Sequence, residues 1–127
     1  LLSMDQKKVN LHKGEYVFCF IEDIDKINIT NIICSFKESK GYSIITSKEE
    51  ALNNNLPFYF VSAWITIEID STLDSVGLTS AFSKKLTKAG ISCNVVAAYH
   101  HDHIFVPYLE RLKAMKILSD MYESQNN

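Results

Sequence analysis

The stretch YFVSAWITIEID, residues 59–70, decides the fold because its side chains alternate between two chemical classes. A period of two residues is typical of a β-strand with one face in the core and the other partly exposed. The core-facing set is Val61, Ala63, Ile65, Ile67 and Ile69, and the opposite set is Trp64, Thr66, Glu68 and Asp70. We therefore expect a long strand near the middle of the chain.

The residues after this strand predict a helix, a hairpin and a second helix. The first helix has an apolar stripe and ends at Gly90, a residue suited to a left-handed C-terminal cap. Residues 91–99 and 103–107 predict two antiparallel strands joined by a tight turn. Pro107 then begins the last helix. The expected stripes are Leu78, Phe82, Leu86 and Ala89 in the first helix, and Leu112, Met115, Leu118 and Tyr122 in the second.

The N-terminal half predicts a shorter version of the same pattern. EYVFCFI, residues 15–21, is an apolar run typical of a strand covered on both faces, and YSIIT, residues 42–46, predicts a second strand. Between them, an apolar stripe predicts an amphipathic helix that ends at Gly41. Ser47 and Glu50 form a capping box that begins a short helix. The stripe consists of Ile29, Ile32, Ile33 and Phe36.

This order of elements predicts an α+β fold of ferredoxin-like βαββαβ units, with a mainly antiparallel sheet covered by helices. Residues 58–127 supply most of one unit, whose missing strand we expect from the N-terminal half. Residues 1–57 supply a reduced unit. Because no Pro-, Gly- or Ser-rich linker separates the halves, we expect them to pack as one body.

Composition excludes several classes of protein. The chain has 127 residues, is 46% hydrophobic and carries a net charge of −2, so it fits a globular domain with no electrostatic case for nucleic acid. No run of about 18 apolar residues predicts a membrane span. The N-terminus has no apolar signal segment, and the three cysteines form no CxxC pair, which favours a cytoplasmic protein with reduced thiols. No glycine-rich phosphate loop indicates a cofactor.

The run His100–His103, HHDH, has the composition of a metal or catalytic site. In a tight hairpin, His101 and Asp102 would occupy the turn, and only His100 and His103 would face each other. Zinc needs three or four converging ligands, and no spacing marks a third, since His12 falls in a segment that we expect to be frayed. No nucleophile with recognisable spacing accompanies the histidines. We therefore expect no metal ligands and no catalytic residues.

The loop at residues 70–80 is the more informative candidate site. It leads into a helix, and the chain carries no Asp or Glu from Ser75 to His101. Free N–H groups at such a helix N-terminus favour an anion, for example an amino-acid carboxylate. The alternative is that Asp74 or Ser75 caps the helix and Gly77 allows close packing on the sheet. Asn94, a polar residue beside small ones on a strand, suits either a ligand or a hydrogen bond to a loop.

The sequence from AWITIEID to HHDHIFVP, residues 63–107, resembles ACT domains, and in particular small stand-alone bacterial proteins built from two ACT-like units. VGLTSAFSKKLTKAGISCNVVAAYHHDHIFVP, residues 76–107, carries the most specific likeness. GEYVFCFI and GYSIITSKEEAL resemble the N-terminal unit of those proteins, so nearly the whole chain is included.

The resemblance implies a non-catalytic regulatory module that binds an amino acid or similar metabolite at an interface between ACT-like units, as a homodimer. Two alternatives stay open. One is a protein-interaction module without a small ligand, and the other is a metal-dependent enzyme that uses His100 and His103. The ligand-binding positions that the resemblance implies are Asp74, Ser75, Val76, Gly77, Leu78 and Thr79 in the loop, and Asn94, Val95 and Val96 on the strand.

Overall fold

The computed structural model describes residues 8–68 and 78–125. Within these ranges the chain forms strands and helices in mixed order. The strands are β1 (Val9–Leu11), β2 (Tyr16–Ile21), β3 (Ile32–Glu38), β4 (Gly41–Ser47), β5 (Val61–Glu68), β6 (Asn94–Ala97) and β7 (His101–Pro107). The helices are α1 (Lys48–Asn53), α2 (Leu78–Lys88) and α3 (Arg111–Gln125), and short 3-10 turns occupy Ile24–Lys26, Ile29–Asn31 and Tyr108–Glu110.

The chain divides into two compact units. The N-terminal unit is Gly14–Ser62, and the C-terminal unit combines β1 with the chain from Ala63 onward. The predicted boundary between residues 57 and 58, and the predicted packing of the two halves as one body, stay predictions.

In the N-terminal unit β4 lies between β3 and β2, and all three strands are antiparallel to their neighbours. The first two residues of β5 pair with β2, where the Ser62 hydroxyl donates to the carbonyl of Tyr16 at 2.8 Å. One face of the sheet packs on Ala51 of α1. The buried set is Val17, Cys19, Ile21, Ile27, Ile44 and Ala51. These pairings complete a reduced ferredoxin-like unit.

The helix predicted over Ile29–Phe36 is wrong. Asp23 and Asn28 each accept a hydrogen bond from the backbone N–H two residues on, and this local bonding holds residues 23–31 in short 3-10 turns. Ile32–Glu38 then forms β3 against β4. Gly41 is therefore not a helix cap. It begins β4 at a point where a Cβ atom would lie 2.4 Å from the carbonyl oxygen of Ile21.

In the C-terminal unit β1 pairs antiparallel with β5, β5 lies beside β7, and β7 pairs antiparallel with β6. The expectation that the N-terminal half supplies the missing strand is confirmed, because Val9 pairs with Ile67 and Leu11 with Ile65. Helix α3 packs against α2, β1 and β7. The α+β fold of ferredoxin-like units is thereby confirmed, and its core here is Val9, Ala63, Ile65, Ile67, Phe82, Leu86, Ile91, Ile104, Val106, Ala114 and Leu118.

Two predictions about the helices of this unit can be compared with the structure: the C-terminal end of α2 and the buried face of α3. Gly90 has φ of 76°, and the N–H groups of Gly90 and Ile91 donate to the carbonyls of Thr87 and Leu86, which is a Schellman motif. The predicted stop of α2 is confirmed. In α3 the predicted stripe is wrong at Leu112, whose side chain is 68% exposed, because the buried face is centred on Ala114 and Leu118.

Candidate functional site

The predicted ligand loop lies only partly in the described residues. Asp74, Ser75, Val76 and Gly77 fall outside them. Leu78 and Thr79 are the first two residues of α2, whose first turn carries no acidic residue. Because four aligned N–H groups at a helix N-terminus lack partners within the helix, this absence of a carboxylate suits an anion. The loop residues stay a predicted site.

The strand positions of the predicted site lie on β6. Asn94 is exposed, and Val95 and Val96 are half-buried. Among the described residues β6 pairs with β7 alone, so its other edge presents backbone N–H and C=O groups. This edge can accept a ligand or another strand. Whether it meets the loop in a single site stays a prediction.

The histidine hairpin differs from the expectation. The N–H of Ala98 donates to the carbonyl of His101 at 3.0 Å, so Tyr99 and His100 occupy the turn. His101 and Asp102 lie in β7 instead, and Asp102 is buried opposite Ala97. The predicted facing of His100 and His103 is therefore wrong. The turn lies two residues earlier than predicted because Asp102, Ile104 and Val106 all point toward the core. His101 and His103 therefore lie on the other face of the strand.

That other face carries a cluster that the sequence did not predict. The imidazole of His12 stacks on the indole of Trp64, with ring centroids 3.6 Å apart and an interplanar angle of 9°. His12 Nε2 lies 2.7 Å from the Thr66 hydroxyl, which lies 2.9 Å from His103 Nδ1. Trp64 Nε1 donates to the same His103 nitrogen at 3.0 Å. We call His12, Trp64, Thr66 and His103 the histidine cluster.

These contacts determine where the protons lie. An indole N–H only donates, so His103 Nδ1 carries no hydrogen and the neutral ring is protonated on Nε2. The Thr66 hydroxyl then donates to His103 and accepts from His12 Nε2–H. Burial lowers the pKa of both histidines. The charge of His103 lowers the pKa of His12 further, and the charge of His101 lowers the pKa of His103, whereas Asp102 raises it.

The position of His12 corrects the expectation of a frayed N-terminus. Its backbone N–H donates to the carbonyl of Trp64 at 2.9 Å, which extends the β1–β5 ladder. The sequence did carry a signal, because Val9 and Leu11 alternate with Asn10 and His12 as in a strand with one buried face. Strand β1 has only three residues, too few for this alternation to be recognised in the sequence.

The described residues show no arrangement that binds a metal ion. No three His, Cys, Asp or Glu side chains among them lie close enough to hold one. No helix in residues 8–68 and 78–125 is long and apolar enough to cross a membrane. Cys19, Cys34 and Cys93 are free thiols, and burial raises the pKa of Cys19 and of Cys93.

Comparison with known proteins gives the family. Models of the ACT domain match residues 4–63 and residues 60–120, in tandem along the chain. The chain belongs to the ACT domain family, and the tandem matches show two ACT-like units. ACT domains are regulatory modules that bind small molecules, and they are not catalytic. No curated protein matches the sequence significantly.

Solved structures support the same fold. A protein of unknown function from Vibrio cholerae, described as a possible transport protein, is 36% identical with a TM-score of 0.81, and the match covers 87% of this chain and 86% of that one. A protein from Agobacterium tumefaciens is 14% identical with a TM-score of 0.71, over 88% and 86%. The ligand-free regulatory subunit of aspartate kinase from Thermus thermophilus is 8% identical with a TM-score of 0.61, over 88% and 95%.

Proposed function

We propose that this protein is a non-catalytic regulatory module that binds an amino acid or a similar small metabolite. The observation that carries the proposal is the tandem match to ACT domains over nearly the whole chain. ACT domains typically bind amino acids and often form dimers. The proposed ligand lies at an interface between ACT-like units of two copies, in a cytoplasmic homodimer. The free cysteines are in keeping with a reducing compartment.

Recognition would divide between the two ends of the ligand. The carboxylate would accept hydrogen bonds from N–H groups at the start of α2 and the preceding residues Asp74–Gly77. The ammonium group would donate to backbone carbonyls on the open edge of β6, beside Asn94. The absence of an acidic side chain in the first turn of α2 supports this polarity.

A thermal-shift screen of the amino acids tests the proposal. A ligand at about 100 times its dissociation constant adds about 2.7 kcal/mol to the free energy of unfolding. Gly77→Asp would place a carboxylate beside that of the ligand, so we expect this variant to lose the shift. Thr87→Asp adds the same charge at the opposite end of α2 and should keep it. If no amino acid raises the unfolding temperature of the unaltered protein, the proposal that its ligand is an amino acid is wrong.

A protein-interaction module is the second candidate function, and the outer face of the N-terminal sheet favours it. Phe20 and Phe36 lie on either side of Ser43 across three strands, and they are 47% and 70% exposed. Exposed aromatic side chains on one face of a sheet are typical of protein interfaces. Replacing both with serine would abolish capture of a partner and leave any amino-acid thermal shift unchanged. The opposite result would favour the ligand-binding function.

A further inference from the structure

We propose that the histidine cluster is a pH-sensitive latch, and that its protonation releases β1 from β5. The inference is separate from ligand binding, since it concerns the strand that completes the C-terminal unit. It rests on the hydrogen-bond directions in the cluster and on the shortness of β1.

The latch depends on one nitrogen atom. His103 Nδ1 accepts from both the Trp64 indole, at 3.0 Å, and the Thr66 hydroxyl, at 2.9 Å. A proton on this atom would point a second N–H at the indole N–H, which has no lone pair with which to accept it. The Trp64 contact is then lost. The Thr66 hydroxyl hydrogen would also lose its acceptor on His103, and the new positive charge on His103 would repel a charge on the neighbouring His12.

Protonation of His103 affects β1 because His12 directly follows that strand. In the ladder β1 has only three paired residues, Val9–Leu11, and one further bond extends it at each end, from the His12 N–H to Trp64 and from the Glu68 N–H to Lys8. Strand β1 buries only Val9 in the core, whereas β7 pairs with β6 and buries Ile104, Phe105 and Val106. Strain in the cluster is therefore relieved at β1, which is the less strongly held partner.

Charged groups on the neighbouring strands affect the protonation equilibrium of His103. His101 lies beside His103 on β7, with ring centroids 6.5 Å apart, and its charge opposes protonation of His103, whereas Asp102 favours it. Lys8 and Glu68 lie at the far end of the β1–β5 pair, where the Glu68 N–H donates to the Lys8 carbonyl. Strand β6 contributes no charged side chain, since its sequence is NVVA. Burial and the mutual repulsion of the histidines thus oppose protonation of His103, and Asp102 favours it.

Hydrogen exchange resolved along the sequence tests the latch. Protection at β1, corrected for intrinsic exchange, should fall about fivefold between about pH 7.5 and about pH 5, the change expected for one lost hydrogen bond. Protection at β2 and β4 should not fall. The matched variant is His12→Gln with His103→Asn, in which the asparagine oxygen accepts from Trp64 and cannot titrate. Its β1 protection should be independent of pH.

Two outcomes would overturn the proposal: equal β1 protection at both pH values, or the same loss in the non-titrating variant. Should that variant fail to fold, histidine side-chain NMR of the unaltered protein gives an independent answer. The latch requires the Nδ1 resonance of His103 to change together with the amide signals of Val9–Leu11. Titration of His103 with no change at those amides would also overturn it.

Discussion

The imidazole of His12 lies flat against the indole of Trp64, with ring centroids 3.6 Å apart and planes 9° from parallel. The two residues are far apart in the sequence and belong to the same compact unit. This contact joins the segment before the N-terminal unit to the strand after it. It also covers one face of the Trp64 ring.

We expect His12→Ala to lower the free energy of unfolding by about 2 kcal/mol. The variant loses an aromatic stack worth about 1 kcal/mol and a hydrogen bond to Thr66 worth about the same. Because Trp64 is the single tryptophan, its fluorescence follows the cluster during urea denaturation. His100→Ala is the control, since His100 is exposed in the turn, and its effect should stay within about 0.5 kcal/mol. Equal effects of the two substitutions would contradict the stack as a source of stability.

The histidines also predict how stability depends on pH. Their pKa values are lowered in the folded state from the ordinary 6.5, so below pH 6.5 the unfolded chain binds more protons than the folded one. Their contribution to stability is therefore complete above pH 6.5 and is lost as the pH falls from 6.5 toward the lowered values. Denaturation midpoints measured across this window should decline more steeply in the unaltered protein than in His12→Gln with His103→Asn. Parallel pH profiles would contradict this assignment.

The fold was predictable where residues repeat with a clear period, as in β5 and α2. Prediction failed at Ile29–Phe36, where a helical spacing of apolar residues coincides with an alternating one. Local side-chain bonds from Asp23 and Asn28 and pairing with β4 decide in favour of 3-10 turns and a strand. Pairing across a sheet is a tertiary effect that a local pattern does not contain.

The candidate site was likewise only partly predictable from the sequence. The composition of the hairpin drew attention to His100–His103, but its register depends on which residues the helices bury on the other face. Because the turn lies two residues earlier than predicted, Asp102 lies in a buried strand and not in an exposed turn. The partner of His103 was not predictable, because Trp64, Thr66 and His12 reach it only through the pairing of β1 and β7 with β5.

Gly90→Ala should cost about 1 kcal/mol through the backbone alone. Gly90 has φ of 76°, and a Cβ atom there would meet nothing within 4 Å, so the cost is that of a left-handed conformation in an L-residue. Gly90→Asn should lose less, since asparagine tolerates this conformation. The free energy of unfolding from thermal and urea melts checks the order. If alanine and asparagine were equally tolerated, backbone conformation would not be the reason for glycine here.

Gly41→Ala should be more costly than Gly90→Ala, by a different mechanism. The added Cβ would lie 2.4 Å from the Ile21 carbonyl oxygen and 3.0 Å from the Glu22 Cα, and both are backbone atoms that move only if β2 and β4 separate. Overpacking of this kind costs about 3 kcal/mol at the upper end of its usual range. Far-UV circular dichroism in urea measures it, with Lys40→Ala in the adjoining exposed turn as control. A loss no larger than that of Gly90→Ala would show that the two strands separate at little cost.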